Sequence, residues 1–251
     1  MRTLLIDGDI LSYQCAIFNE VATEIEPGYW VWHCEFGKVI DSINWQISTY
    51  MKRLEADNFI LCLTDNDKNF RKDILSTYKG NRSNLKRPLV LKPTREYLIK
   101  ELDARITPGL EGDDLMGILS TEETDDERII VSIDKDLKTI NGKYYNPNAD
   151  VVVEITEEEA DWWHLYQTLT GDTIDGYSGC PSIGAVTAKK ILDESPTWDA
   201  VIKTYKKKGL TEEDALVQAR VARILRSSDI DNEGNPILWT PKEDNNKKET
   251  S

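Results

Sequence analysis

Cysteine and histidine are scarce in this 251-residue chain, which holds four of the first and two of the second. Cys15, Cys34, Cys62 and Cys180 lie far apart with no CxxC pair, so a disulfide framework and a zinc knuckle are both excluded and four reduced, mostly buried residues remain. His33 and His164 stand alone and no HExxH occurs, which excludes a histidine-built zinc site. No run of about 18 apolar residues exists. The opening MRTLLIDGDI turns acidic at Asp7, too early for a signal peptide, so the expected location is the cytoplasm, with no membrane contact. There is no internal repeat. Basic charge is also short: 31 Lys and Arg against 45 Asp and Glu leave a net charge of -14, the reverse of the usual nucleic-acid-binding balance. Any metal chemistry must rest on carboxylates.

The distribution of charge says more than its sum. From Lys68 to Lys100, ten basic residues (Lys68, Arg71, Lys72, Lys79, Arg82, Lys86, Arg87, Lys92, Arg95, Lys100) stand against two acidic ones, Asp73 and Glu96. Such a run is either a solvated helix face or a track for phosphates. Three short apolar runs, TLLI (3–6), FILCL (59–63) and RIIVSI (128–133), each break into Asp-rich strings. Buried parallel strands ending in carboxylates describe an α/β sheet with an acidic site at its C-terminal edge.

Glu20 to Phe36 alternates about a Pro27-Gly28 turn, predicting a β-hairpin whose Trp30 and Trp32 serve packing. Apolar residues at Val39, Ile43, Ile47, Met51 and Leu54 predict a helix over 37–56, and a second helix is expected from about Thr94 with Tyr97, Leu98 and Leu102 on one side. Thr156 followed by Glu159 is a capping-box pattern opening a helix to Thr170, with Trp162, Trp163 and Leu169 expected to be buried. The Gly and Pro punctuation of 171–184 before an Ala- and Lys-rich stretch predicts a helix-loop-helix. Arg220, Arg223 and Arg226 recur at helical spacing, as an extension of the phosphate track or as a solvated face. The expected organisation is a catalytic domain over 1–155, a helical region over 156–240 and a disordered tail over 241–251.

Nine carboxylates lie at element ends or in short acidic clusters: Asp7, Asp65, Glu111, Asp113, Asp114, Asp134, Asp136, Asp172 and Asp175. Crowded carboxylates repel one another, and burying them without countercharge raises their pKa values or unfolds the site. Cations must accompany them. Oxygen-only ligands select Mg²⁺, with Mn²⁺ as a substitute. Two such ions about 4 Å apart hydrolyse phosphodiesters by activating a water and stabilising the leaving oxygen. One DxD string alone arises by chance, whereas four acidic strings in order, each after an apolar run or before a Gly-rich turn, do not.

The succession LLIDGD, TDND with the following FR and YKGNR, EGDD, SIDKDL and GDTIDGYSGCPSIGAVTAKKIL resembles the bacteriophage-type 5′ nuclease family over roughly residues 1 to 195. The resemblance implies a PIN-like α/β domain, with a mostly parallel sheet flanked by helices, and a helix-three-turn-helix element that binds DNA. It implies a 5′→3′ exonuclease or 5′ flap endonuclease of phage replication or recombination. Asp7, Asp65, Glu111, Asp113 and Asp114 would hold a first metal, and Asp134, Asp136, Asp172 and Asp175 a second. Asp67 competes with Asp65, because the spacing to Phe70 is short. Lys79 and Arg82 would hold and polarise the scissile phosphate beside the catalytic Asp134, and Tyr78 would stack near the terminal base. Lys86 and Arg87 join the expected DNA contacts. The turn of Gly179, Ser182, Ile183 and Gly184 would bind duplex backbone through its N–H groups and a K⁺ ion, with Lys189 and Lys190 facing phosphates. The expected partner is DNA with a free 5′ end, with an RNA-DNA hybrid as a further substrate. Two other functions stay open: a junction-DNA-binding module without activity, and a PIN-type ribonuclease. The third motif has Gly112 where the family commonly has Ala, and every carboxylate is kept.

Overall fold

The structure is a computed structural model that describes residues 1–81 and 86–241. Its strands are β1 (Arg2–Asp7), β2 (Glu20–Glu26), β3 (Tyr29–Cys34), β4 (Asn58–Leu63), β5 (Arg105–Ile106), β6 (Glu127–Val131), β7 (Gly142–Asn146) and β8 (Val151–Ile155). Six of them form one sheet in the order β5-β4-β1-β6-β7-β8, parallel throughout except for β8, which runs antiparallel to β7. β1 lies centrally and is buried on both faces from Thr3 onward, which is why TLLI reads as an unbroken apolar run.

Helices cover both faces. α1 (Gly8–Phe18), α2 (Phe36–Arg53) and α4 (Leu91–Glu101) lie on the side where Leu4, Ile6, Leu61 and Leu63 meet Val39, Ile43 and Leu98. Leu5, Cys62 and Ile130 point the other way, toward Met116 of α5 (Gly112–Thr121). Gly8 is needed where α1 starts, because a Cβ there would sit 2.8 Å from the Cys62 carbonyl oxygen. α3 (Arg71–Ile74) is a single turn between β4 and α4. α6 (Glu157–Thr170) opens with the reciprocal capping box: Glu159 N–H donates to Thr156 Oγ1 at 3.2 Å and Thr156 N–H to Glu159 Oε2 at 3.0 Å. With α7 (Ala185–Glu194), α8 (Trp198–Lys207) and α9 (Glu212–Ala222), it builds a separate core around Leu165, Leu169, Leu192, Val201 and Tyr205.

One buried side chain fastens this helical core to the sheet. Arg71, 2% exposed, forms a bidentate pair with Asp114 at 2.7 Å through each nitrogen. Its remaining N–H groups donate to the carbonyls of Val221 at 3.0 Å and Arg223 at 2.5 Å. A planar guanidinium satisfies four acceptors at once where an ammonium could not.

Several expectations are corrected. The β2-β3 hairpin forms about Pro27-Gly28, yet Trp30 and Trp32 are 58% and 50% exposed, because the two-stranded ribbon has no layer beneath it. Lys86 instead places its ammonium 4.1 Å above the Trp32 ring. Trp162 and Trp163 are half-buried, in a cluster with Tyr166 on the outside of α6. Arg223 and Arg226 form neither a solvated face nor a DNA path: α9 ends at Ala222, and both side chains turn inward onto Asp229 and Asp161. Arg220 pairs with Glu213 at 3.4 Å. Arg82 and the tail from residue 242 lie outside the described residues. Among the described residues no helix is long and apolar enough to cross a membrane.

Candidate active site

The three apolar runs deliver their acids to one edge because parallel strands end together. Asp7 closes β1 and also caps α1, accepting from Ile10 N–H at 2.9 Å. Asp134, after β6, caps a 3₁₀ turn and accepts from Asp136 N–H at 2.9 Å. Glu111 is the N-cap of α5. Helix N-termini present N–H groups and a positive dipole end, which lowers the cost of keeping anions there. Asp172 and Asp175 come from the turn after α6, where Gly171 adopts φ 66° and a Cβ would collide with the Gly179 nitrogen at 2.4 Å.

These elements enclose a cleft of about 540 Å³. Asp7, Asp65, Glu111, Asp113, Asp134, Asp136, Asp172 and Asp175 line it, together with Tyr78, Lys79 and Arg87. Asp65 accepts from Gly109 N–H at 2.8 Å and Asp67 N–H at 2.9 Å, while the Asp67 side chain is exposed and outside the cleft. Asp114 does not line the cleft. Both its oxygens are engaged by Arg71 and by the N–H groups of Glu111 and Leu225, so it positions the site from behind. Among the described residues no three His, Cys, Asp or Glu side chains are gathered tightly enough to enclose an ion by themselves.

The local countercharge is Lys79. Its ammonium donates to Glu111 Oε1 and lies 3.7 Å from Asp175 Oδ2, so one cation spans carboxylates from the sheet edge and from the turn after α6. The backbone fixes it there: Lys79 N–H donates to the Asp175 carbonyl at 2.7 Å, with Lys79 itself at φ 53°. Tyr78 is 3% exposed and its hydroxyl donates to Glu111 Oε2 at 2.8 Å. Its ring packs with Tyr177, Val221 and Ala222 and is not free to stack on a base, a correction to the expectation for that residue.

Titration follows from this geometry. Burial pushes the Asp7 carboxyl up to about 6, aided by Asp134 and opposed by the Ile10 and Ser132 donors. Burial, with Asp7 and Asp134 nearby, drives Asp113 well above the ordinary carboxylate range. Burial and Asp134 bring Asp136 to about 6. Glu111 goes the other way: its burial is outweighed by Arg71, Lys79 and the Tyr78 hydroxyl, which hold it at about 2.

At the 179–184 turn several expected donors are spent internally. Gly179 N–H is taken by Gln218 Oε1 at 2.8 Å and Ile183 N–H by the Cys180 carbonyl at 3.1 Å, leaving the exposed Ser182 and Gly184. Lys189 is paired to Asp193 at 2.5 Å, while Lys190 is exposed. Two residues without an assigned role from sequence also belong here. Asp9 lines the cleft, accepts from Thr64 N–H at 2.8 Å and pairs with Arg95, tying the first turn of α1 to the end of β4. Arg71 carries the pair that orients Asp114. The second acid of Asp-Gly-Asp was the available signal for Asp9, and the FR pair after TDND that for Arg71, although neither says which partner the side chain meets.

Residues 2–161 match the family model described as the 5′-3′ exonuclease, N-terminal resolvase-like domain. The exonuclease of Escherichia phage T7 is 32% identical, over 95% of this chain and 93% of its own. The exodeoxyribonuclease of Enterobacteria phage T3 is 31% identical over the same shares. Among solved structures, the T5 5′-exonuclease with bound zinc superposes with a TM-score of 0.65 at 18% identity, covering 88% of both chains. The T5 flap endonuclease in complex with DNA and metal ions also reaches 0.65, at 17% identity. The chain therefore belongs to the 5′-3′ exonuclease family, the nucleases that hydrolyse DNA.

Proposed function

We propose that the cleft hydrolyses DNA phosphodiesters near a free 5′ end with two Mg²⁺ ions, Mn²⁺ serving as a substitute. The supporting observation is the donor set. Asp7, Asp113 and Asp136 are each raised by burial and by neighbouring carboxylates, an energetic burden that divalent cations relieve. Asp7, Asp65, Glu111 and Asp113 would serve one ion and Asp134, Asp136, Asp172 and Asp175 the other; Asp114 is left out because Arg71 occupies it. When bound, such ions supply a nucleophilic water and stabilise the leaving oxygen.

The chain's own residues do the rest. Lys79 sits between Glu111 and Asp175 and reaches a phosphate once those carboxylates have another cation, so it holds and polarises the scissile group. Arg87 on the cleft wall adds charge to the same path, and the Asp7 cap keeps β1 and α1 in register with it. Ser182, Gly184 and Lys190 grip the duplex backbone without reading bases, and a K⁺ ion at that turn is part of the reading. An RNA-DNA hybrid end is a further substrate on the same grounds, since the contacts are to phosphates.

The test is a cleavage time course with Mg²⁺ on 5′-labelled and 3′-labelled blunt duplex, 5′ flap and single strand, beside an Asp134→Ala control. Mononucleotides released from the duplex 5′ end mark the exonuclease, and a cut at the flap junction the endonuclease. Binding without cleavage in Mg²⁺ or Mn²⁺ would overturn the proposal in favour of a DNA-binding module.

A further inference from the structure

The β2-β3 ribbon carries apolar surface that the fold itself does not use. Trp30 and Trp32 are two apart on β3 and so share a face, with Glu24 and Ala22 as their cross-strand partners. Both indoles are exposed, and Trp30 meets no other ring and no cation among the described residues. Single exposed apolar side chains are ordinary, whereas two neighbouring indoles on one face mark an interaction surface.

The place of the ribbon narrows what covers that face. Lys86 stands 4.1 Å above the Trp32 ring, and the next residue, Arg87, lines the catalytic cleft. At the ribbon's root Glu20 accepts from Leu89 N–H, which fastens the ribbon to the same segment. The indole face therefore begins beside the cleft wall, and Trp30 continues it about 7 Å further along β3. The ribbon joins α1 to α2, on the sheet face where Cys34 and Phe36 pack. The 179–184 turn follows α6, whose Ala160 packs on the opposite face. A strand held as duplex at that turn and cut in the cleft runs out toward the ribbon.

The chemistry of the face suits unpaired bases. A duplex turns its phosphates outward and hides its base faces, while a single strand offers each base to an aromatic ring without regard to sequence. Two acids share the indole face, and each is turned onto a backbone N–H: Glu20 onto Leu89, and Glu24 onto Gly28 at 2.8 Å. Stacking, with the Lys86 ammonium beside it, is what the face has to give.

We propose that the Trp30–Trp32 face binds the unpaired 5′ strand of the DNA substrate, its bases stacked on the two indoles. The 5′ strand is the one concerned because it is the strand that crosses the cleft. The assignment rests on the proposed cutting of DNA near a 5′ end, with the duplex gripped at the 179–184 turn.

The experiment measures the affinity of the full chain, in EDTA, for three probes that share one duplex: blunt, 5′-flapped and 3′-overhung. Each extension is about eight nucleotides, within the usual span of a single-strand site. The wild type should bind the 5′ flap at least about tenfold tighter than the blunt end, and the double variant Trp30→Ala/Trp32→Ala should bind the two within about twofold. Blunt-end affinity should not change. Trp32→Tyr, which keeps an aromatic face, should retain most of the preference, and the preference should hold as salt rises while total affinity falls. Trp30→Ala removes no ring or cation contact among the described residues, so this variant folds and shows an intermediate preference even where the double variant does not fold. A wild type that binds the blunt duplex and gains nothing from the flap would overturn the assignment and leave the duplex grip standing. So would an equal loss on the 3′ overhang, or self-association that disappears with the indoles and gives the face to a second copy. A wild type that binds no probe and cuts none in Mg²⁺ would bring down the underlying reading as well.

Discussion

Replacing Asp7 by Asn should make the metal-free protein more stable at neutral pH while disarming its site. Asp7 titrates at about 6 in the fold against an ordinary value of 3.8. A carboxyl whose folded pKa is raised contributes stability that is present below its unfolded value and lost as pH rises through the folded one, here between about pH 4 and pH 6. At about 1.4 kcal/mol per unit, two units amount to about 3 kcal/mol, or a melting shift of about 6–12 °C for a chain of this size. Asparagine keeps the interactions that neutral Asp7 makes: its amide oxygen still caps α1 at Ile10, and the Ser132 hydroxyl, 2.8 Å away, can rotate to accept. Wild type and variant should therefore melt together near pH 4 in EDTA and separate as pH rises, the variant above. Glu111, held at about 2, and His164, pushed down to about 3 by burial, lose stability as pH falls; both are common to the two proteins and cancel in the difference. Mg²⁺ at pH 7.5 should raise the wild-type melting temperature and move the variant far less. A gap that does not change between pH 4 and pH 7, or a wild type more stable than the variant at pH 7 in EDTA, would refute the reasoning.

Three other outcomes are expected. Arg71→Met leaves Asp114 buried without its partner and should cost about 3–5 kcal/mol in urea unfolding, with much of it recovered by Arg71→Met/Asp114→Leu; a loss under about 1 kcal/mol would contradict the account. Lys79→Ala should lower cleavage by about 10²–10³ with duplex affinity changed only a few-fold, as the proposed contact of its charge with the scissile phosphate requires. Duplex affinity should fall linearly on a log-log plot against salt, and Lys190→Ala should flatten that slope by about one phosphate contact. Lys189→Ala should change it less, because Asp193 already holds that ammonium.

Most of the architecture was legible because it follows from periodicity. TLLI, FILCL and RIIVSI each became a strand of the parallel sheet, all three buried on both faces in their C-terminal halves, and their trailing acids meet because parallel strands end on one side. The capping box at Thr156 formed with both bonds. What the sequence concealed was the difference between an acid that faces the cleft and one that faces a partner. Asp113 and Asp114 are adjacent in EGDD, yet on a helix neighbours point about 100° apart, so one lines the cleft and the other meets Arg71. Likewise Arg71, Lys79 and Lys86 belong to one basic run but answer to a buried carboxylate, two cleft carboxylates and an indole ring. The partners come from elsewhere in the chain, and no local pattern announces them. The same holds for Arg223 and Arg226, whose spacing looked helical although the helix stops at Ala222.

The reach of Arg71 also bears on how such a protein can be divided. Similarity to the family's N-terminal domain stops at residue 161, which invites treating the helices beyond it as an attachable module. Yet Arg71 closes its hydrogen bonds on carbonyls at 221 and 223, and Asp114 closes its own on the amide of Leu225. A chain cut at 161 would inherit a charged pair that has lost three of the four hydrogen bonds it makes outside itself, inside what was its own interior. The stretch that the family model matches is smaller than the unit that can stand alone, so exchange of the later helices between relatives must carry the segment through Arg226 with it, or replace the pair by apolar residues.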